Sequence, residues 1–172
     1  MRQSYKAKCY SLKNLRILLW GVSGVGKSSV AYEVSCALKI LYVEGDNFHT
    51  DQAKSKMADG IAVDDQYRYK WIKKIIDDVS SKNGNFILAC SAIRCKHRLL
   101  LIRELAINHS FELCAFSKTL TKRIETRKNH FFSKSLLDSQ LKDLEEDSFS
   151  KKIMTENLTI EDVTKIVLEL CD

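Results

Sequence analysis

Residues 21–28 read GVSGVGKS and constrain the fold of this chain more than any other segment. The octet satisfies the pattern G-x-x-x-x-G-K-[ST], in which a glycine-rich turn surrounds an anion with backbone N–H groups. An apolar run at residues 15–20 precedes the octet and reads as a buried strand, and residues 29–34 read as the start of a helix. A strand, a glycine loop and a helix in this order predict a phosphate-binding loop.

The loop predicts that ATP and Mg²⁺ are the cofactors. We expect Lys27 to supply a catalytic cation to the outer phosphates and the Ser28 hydroxyl to serve as the metal ligand. The alternative, a flexible turn before an ordinary helix, does not account for both flanking segments. The expected nucleotide-binding residues of the loop are Gly21, Val22, Ser23, Gly24, Val25, Gly26, Lys27, Ser28 and Ser29.

Short apolar segments alternate with segments of helical periodicity along the rest of the chain, which indicates a parallel sheet covered on both faces. We therefore predict an α/β fold of the P-loop NTPase type, a three-layer sandwich with a parallel sheet of about five strands and a small lid. The predicted strands are residues 15–20, 40–43, 86–90, 111–116 and 153–155, and the predicted helices include residues 51–59, 66–79, 95–107, 119–127, 135–146 and 160–170.

Length and composition favour one compact domain over residues 1–172, with a basic N-terminal tail at 1–14. The phosphate loop makes it a candidate P-loop kinase domain, whose lid region is expected at about 119–146. No apolar stretch approaches the roughly 20 residues that cross a bilayer, so no membrane partner is expected. Six scattered cysteines without a C-x-x-C pair favour reduced thiols and a cytoplasmic location. The net charge of +6 is concentrated in two local patches, which favours discrete anionic ligands over nucleic acid.

Acidic residues follow the second predicted strand in the segment EGDNFH, residues 44–49. Because ligands of such sheets bind beyond the carboxyl ends of the strands, Asp46 is a candidate catalytic base for an attacking hydroxyl. Glu44 or Asp46 can also hold Mg²⁺ through water. The structural alternative is a turn whose aspartate caps the next helix. His49 is a candidate partner of a substrate hydroxyl or a structural loop residue.

Arg123 and Arg127 lie four residues apart and therefore share one helix face. Both are candidate nucleotide-binding residues, and Arg127 is a candidate catalytic residue that stabilises charge as the phosphoryl group leaves. The segment after them would then close as a lid that excludes water. A solvated helix face is the structural alternative.

Residues 90–94, CSAIR, close another buried strand. Ser91 is a candidate contact to substrate or to metal-bound water. Arg94 and Arg98, also four residues apart, are candidate grips for an acidic substrate, although such residues are often plain surface. No aspartate closes this strand, so the carboxylate that orients magnesium in many phosphate-loop enzymes has to come from Glu44 or Asp46.

Together these segments resemble the gluconate kinases of the small phosphate-loop type, relatives of shikimate and nucleoside monophosphate kinases. The resemblance covers roughly residues 15–146 and rests on GVSGVGKS, EGDNFH, KMADG at 56–60, CSAIR, RKNHFF at 127–132 and LLDSQLKDLE at 136–145. Asp65, Arg68 and Trp71 stand in the D-x-x-R-x-x-W frame of that family.

The resemblance implies ATP-dependent transfer of a phosphoryl group to the 6-hydroxyl of D-gluconate, and it implies a possible homodimer. On this basis Asp46, His49, Ser91, Arg94, Arg98 and His130 are the substrate-side candidates, with Asp46 orienting or deprotonating the hydroxyl. Arg123 and Arg127 would serve ATP from the lid.

The chain departs from the family pattern at several positions. It contains no proline, whereas relatives usually have proline at the positions of Thr50, Lys70 and Asp147. Arg94 replaces a lysine, and a further aspartate of the family segment is lost at Leu99. Alternatives are therefore a related kinase for shikimate, another hydroxy acid or a nucleotide, a kinase of poor turnover, and a nucleotide-switched nucleic-acid-binding module.

Overall fold

A computed structural model describes residues 14–126 and 134–172 of the chain. It contains five strands, seven α-helices and one short 3-10 helix among these residues. The strands are β1 Arg16–Trp20, β2 Leu41–Glu44, β3 Phe86–Cys90, β4 His109–Cys114 and β5 Lys151–Met154. The helices are α1 Lys27–Leu38, α2 Asp51–Ala58, α3 Asp65–Ser80, α4 Cys95–Glu104, α5 Ser117–Glu125, α6 Lys134–Asp143 and α7 Ile160–Leu170, and the 3-10 helix is Gly45–Phe48.

All strand pairs are parallel, and the order across the sheet is β2-β3-β1-β4-β5. The predicted fold class is thereby confirmed. Because β1 is central and carries the phosphate loop at its carboxyl end, the loop emerges with a neighbouring strand on each side. The carboxyl ends of β2 and β3 lie on one side of it and that of β4 on the other.

Alternate residues of β1 belong to two separate hydrophobic cores, one on each face of the sheet. Ile17 and Leu19 pack with apolar residues of α1 and α7, whereas Leu18 and Trp20 pack with those of α3 and α4. The central strands read as uninterrupted apolar runs because they are covered on both sides. The result is the expected three-layer arrangement.

The predicted element boundaries are close to the observed ones, with the largest differences at the ends of α4 and α6. Helical periodicity suggested residues 95–107, but the helix ends at Glu104. Ala106 adopts a positive φ of 48°, and the Ile107 amide bonds back to the Ile102 carbonyl. This turn buries Leu105 and Ile107. These apolar residues extended the predicted helix, but they lie in the turn that follows it.

Candidate active site

The phosphate loop runs from the end of β1 into the first turn of α1. Gly26 precedes the helix in the left-handed conformation, with φ of 99°, which is open to glycine at little cost. Gly21 is held against β4, since a Cβ there would lie 2.3 Å from the Leu113 carbonyl oxygen. These two glycines let the chain turn sharply and approach the neighbouring strand.

Lys27 lies within the loop rather than in solvent. Its side chain is buried, and its Nζ donates a hydrogen bond to the Val22 carbonyl oxygen at 3.0 Å. This contact spans the loop, so the cation is held where backbone N–H groups can also act on a phosphate. The opposite corner of the loop is held by α6, because the Ser23 amide donates to Oε1 of Gln140 at 2.8 Å.

A cleft of about 400 Å³ lies on one side of the loop, with Gly24, Val25, Gly26 and Ser29 in its wall. Arg123 also lines it and donates to the Thr155 hydroxyl and carbonyl oxygens, both at 3.0 Å. The segment after β5 completes the wall through Thr155, Leu158, Thr159, Ile160 and Val163. The residues of this segment carry no recognisable motif, so they were not among the site residues predicted from the sequence.

On the other side of the loop, β2 ends in the 3-10 helix that carries Asp46. Gly45 passes so close to β3 that a Cβ would lie 2.8 Å from the Ala89 carbonyl oxygen. The Trp71 indole donates to the Gly45 carbonyl oxygen at 2.8 Å. The close approach and this hydrogen bond fix the backbone that presents the Asp46 carboxylate.

His49 stacks on Trp71 with ring centroids 4.4 Å apart, and its Nε2 lies 3.9 Å from Oδ1 of Asp46. Its Nδ1 is 3.3 Å from the Tyr67 hydroxyl. Burial, with a smaller contribution from Lys54, lowers the pKa of His49 to about 4. The imidazole is therefore neutral at pH 7 and can exchange hydrogen bonds with a hydroxyl.

Asp46, His49 and Ser91 line one pocket. The Ser91 hydroxyl is buried and has no hydrogen-bond partner among the described residues, so it is available to a ligand. The other residues of the lining are Met57, Val63, Arg68, Trp71, Ile93, His97, Leu136 and Gln140. Arg68 is the single cation among the described residues of this lining, and in the sequence it stood out only as part of the D-x-x-R-x-x-W motif.

Arg94, a predicted substrate grip, does not belong to the described lining of this pocket. Its guanidinium donates to Oδ1 of Asp143 at 2.7 Å and to Oε1 of Glu145 at 2.9 Å. The Glu145 contact raises the pKa of Arg94. Asp143 also pairs with Arg68 at 2.9 Å. Arg94 therefore joins the start of α4 to the end of α6.

Arg98, the second predicted grip, also lies outside the described lining of the pocket. The side chain has no exposed surface and lies over the Trp20 ring, 3.8 Å from its centroid. Its nitrogens donate to the Asp147 carboxylate at 2.6 Å, to the Ala92 carbonyl at 2.8 Å and to the Glu145 carbonyl. Every nitrogen of the guanidinium is thus engaged inside the protein.

Two further candidates, Arg127 and His130, lie outside the described residues, as do the first 13 residues of the basic tail. Among the described residues, no helix is long and apolar enough to cross a membrane. The same residues contain no cluster of three or more His, Cys, Asp or Glu side chains that could hold a metal ion.

A magnesium site of the phosphate-loop kind needs no such cluster, because Mg²⁺ keeps several waters and takes one or two protein oxygens with the phosphates. Ser28 and the carboxylates of Glu44 and Asp46 provide hard oxygen donors at this edge of the sheet. Glu44 accepts a hydrogen bond from the Tyr42 hydroxyl at 2.5 Å. Burial, and then the Glu44 carboxylate, raise the pKa of Tyr42. The donor set therefore fits the ion.

A phosphate loop on a parallel sheet, with a polar acceptor pocket beside it, defines a small-molecule kinase of the P-loop class. No model of a protein family matches the chain. The thermoresistant gluconokinase of Escherichia coli strain K12 is 35% identical over 133 residues, 75% of each chain. The "probable gluconokinase" of Dictyostelium discoideum is 34% identical over 142 residues, 77% of this chain and 71% of the relative.

Among solved structures, a gluconokinase from Sinorhizobium meliloti 1021 superposes with a TM-score of 0.81 at 27% identity, over 91% of both chains. A sugar kinase from Janibacter sp. HTCC2649 has a TM-score of 0.77 at 25% identity, over 92% of both chains. The chain belongs to the gluconokinase family.

Proposed function

We propose that this protein transfers the γ-phosphoryl group of ATP to the 6-hydroxyl of D-gluconate, giving 6-phospho-D-gluconate and ADP. One observation carries the proposal: the pocket that holds Asp46, His49 and Ser91 adjoins the phosphate loop, because Gln140 lines the pocket and accepts a hydrogen bond from the Ser23 amide of the loop. The donor and acceptor halves of a phosphoryl-transfer site are therefore contiguous. The family membership supports gluconate as the acceptor.

In the proposed reaction, the 6-hydroxyl oxygen forms a bond to the γ-phosphorus while the bond to the β,γ-bridging oxygen breaks. The hydroxyl proton passes to Asp46, which lies in the pocket and is only partly exposed. Neutral His49 and the unpaired Ser91 hydroxyl bind other hydroxyl groups of the sugar acid. Positioning of this kind supplies much of the rate enhancement in phosphoryl transfer.

Lys27 and the loop amides bind the β- and γ-phosphates, and Ser29 and Arg123 belong to the wall of the nucleotide cleft. Mg²⁺, when bound at Ser28, neutralises charge on the triphosphate. From the family resemblance, Arg127 and His130 act from the lid on the leaving phosphate and on the substrate.

Arg68 is the residue that we assign to the carboxylate of the acceptor. It is nearly buried, lies in the pocket and is held by Asp143 of α6. A guanidinium fixed in this way presents its remaining donors to a carboxylate. We thus propose Arg68, in place of Arg94 and Arg98, as the residue that binds the acidic group of the substrate.

A coupled assay of ADP release tests the proposal across D-gluconate, shikimate and a nucleoside monophosphate. Gluconate should give the highest kcat/KM, and product should be phosphorylated at the 6-position by ³¹P NMR. Asp46→Asn should lower kcat by about 10²- to 10⁴-fold. Asp77→Asn, on the exposed face of α3, is the matched control and should leave kcat unchanged.

Good activity on shikimate or a nucleotide, without turnover of gluconate, would show that the protein is a kinase with a different acceptor. ATP binding without phosphorylation of any of these acceptors, together with salt-sensitive oligonucleotide binding, would favour the nucleotide-switched nucleic-acid-binding module. Lys27→Ala should abolish transfer, with exposed Lys74→Ala as its control; unchanged turnover in Lys27→Ala would overturn the mechanism.

We further propose a cytoplasmic location, since the described cysteines are free thiols, as expected in a reducing compartment. A homodimer, which the family resemblance implies, is also proposed. Sedimentation equilibrium over a range of protein concentrations tests it, and a constant monomer mass would reject it.

A further inference from the structure

The Asp143 carboxylate lies between two guanidinium groups, and each of its oxygens contacts one of them. Oδ2 is 2.9 Å from Nη2 of Arg68, which lines the acceptor pocket. Oδ1 accepts a hydrogen bond from Nη2 of Arg94 at 2.7 Å. Arg94 is not among the described residues of the lining, although the preceding residue, Ile93, belongs to it. Asp143 therefore connects a pocket residue to an arginine outside the pocket.

Glu145 holds Arg94 from the other side and is itself fixed by the backbone. Its Oε1 accepts a hydrogen bond from Nη1 of Arg94 at 2.9 Å. Its Oε2 accepts one from the Cys95 amide at 2.7 Å, and its own amide donates to the Ile93 carbonyl oxygen at 2.9 Å. Arg94 spans from this fixed carboxylate to Asp143. Because the guanidinium is planar and rigid, the span holds Asp143 at a defined position.

The charges of this cluster balance only when Arg94 is present, since the cations Arg68 and Arg94 face the carboxylates of Asp143 and Glu145. The Arg68 and Asp143 side chains are 11% and 27% exposed, so water and salt screen their contact incompletely. Without Arg94, the whole charge of Asp143 would act on Arg68 and offset its attraction for an anionic group in the pocket. With Arg94 in place, that charge is shared between two cations.

We propose that Arg94 is a positioning residue for the acidic group of the acceptor. It touches no substrate atom; it binds Asp143, and Asp143 fixes the guanidinium of Arg68 in the pocket. By sharing the charge of Asp143, Arg94 keeps Arg68 available to a carboxylate and so favours acidic acceptors over neutral ones. This inference rests on the proposed function and names how the acceptor pocket of this chain selects an acid.

The test is steady-state kinetics of the full-length protein with D-gluconate and with D-glucitol, the neutral polyol of the same carbon chain, as a substrate or a competitive inhibitor. In Arg94→Met, the KM for gluconate should rise about fivefold, since a partly exposed ion pair contributes less than a buried one. The kcat, the KM for ATP and the constant for glucitol should stay within about twofold of the wild type, because only binding of the acidic group is weakened.

Arg94→Lys separates the charge of the side chain from its geometry. Lysine, which the family usually has at this position, keeps the charge but lacks a planar group that holds two carboxylates at once. Its KM for gluconate should lie between those of the wild type and Arg94→Met. Arg103→Met is the matched control, because Arg103 is an exposed arginine of α4 that pairs with the adjacent Glu104. It should leave every constant unchanged.

The same substitution in an Arg68→Met background shows whether Arg94 acts through Arg68. Once the Arg68 guanidinium is absent, Arg94→Met should change the KM for gluconate by less than about twofold, since both changes act on one contact. An undiminished rise in that background would overturn the inference, because Arg94 would then act by another route.

An unchanged KM for gluconate in Arg94→Met would also overturn the inference. Equal losses for gluconate and glucitol, or a raised KM for ATP, would overturn it as well, because Arg94 would then only support the fold of the pocket. A wild-type protein that phosphorylates shikimate and not gluconate would reject the proposed function instead. The Arg94 variants measured with shikimate would then still decide the inference.

Discussion

The side-chain carbonyl of Gln140 accepts a hydrogen bond from the backbone amide of Ser23 at 2.8 Å, across 117 residues of sequence. Gln140 lies on α6 and is buried, and it lines the acceptor pocket together with Leu136. One turn later, Asp143 of the same helix holds Arg68. A single helix therefore contacts the phosphate loop and fixes residues of the acceptor pocket.

Gln140→Leu should weaken both halves of the site. The substitution keeps the approximate size of the side chain but leaves the buried Ser23 amide without its partner, which costs about 1–3 kcal/mol. We expect a lower melting temperature and a raised KM for both ATP and gluconate. Gln66→Leu, on the exposed face of α3, is the control. A Gln140→Leu protein with unchanged KM values would show that the contact does not organise the site.

Arg68→Met should raise the KM for gluconate by roughly ten- to hundredfold, because a charge-assisted hydrogen bond contributes about 1.5–3 kcal/mol. The KM for ATP should change by less than about twofold. Steady-state kinetics with gluconate and with a neutral polyol of similar size provide the measurement. The preference for the acid over the polyol should fall in the variant.

Arg103→Met is the control for this substitution, since Arg103 is exposed and pairs with the adjacent Glu104. An unchanged preference in Arg68→Met would show that the carboxylate binds elsewhere. Equal losses for the acid and the polyol would indicate a general disruption of the pocket.

Arg98→Leu should destabilise the protein by about 3–5 kcal/mol, because it leaves the buried Asp147 carboxylate without its cation. The Asp147 side chain has almost no exposed surface and also accepts a hydrogen bond from the Ser150 amide at 2.8 Å. Urea denaturation measures the loss. Arg103→Leu at the surface should change stability by less than about 0.5 kcal/mol.

The double variant Arg98→Leu/Asp147→Asn should be more stable than the sum of the single losses predicts, since the pair is removed together. Strict additivity of the two changes would argue against a coupled buried pair.

His49 should contribute a pH dependence to stability between about pH 6.5 and pH 4. Its folded-state pKa is lowered to about 4, below its value near 6.5 in the unfolded chain, so the unfolded state binds more protons in this window. Stability is then fully present above pH 6.5 and is lost as the pH falls towards 4. The effect is on the order of 3 kcal/mol at most.

In His49→Phe, the ring contact with Trp71 is kept and the titration is removed. Urea denaturation at a series of pH values should show a shallower loss of stability on acidification than in the wild type. An identical slope in both proteins would mean that other groups, such as His97, whose pKa burial also lowers, account for the dependence.

Arg94 and Arg98 show where sequence spacing stops being informative. Their separation of four residues at a helix start suggested a shared grip on a substrate. In the fold, their partners are acidic residues at positions 143, 145 and 147, about 50 residues further along the chain. Spacing places two side chains on one helix face, but it does not say what that face packs against.

The sequence alone determined the phosphate loop, the alternation of strands and helices and the position of Asp46 and Ser91 at strand ends, because these depend on local conformation and on apolar periodicity. It also carried the family resemblance. The tertiary structure decided which polar residues reach the pocket: Arg68 and Gln140 enter it, while Arg94 and Arg98 are held by carboxylates elsewhere. It also separated Glu44, which accepts the Tyr42 hydroxyl, from Asp46, which lines the acceptor pocket. These outcomes depend on contacts between distant segments, and no local pattern encodes them.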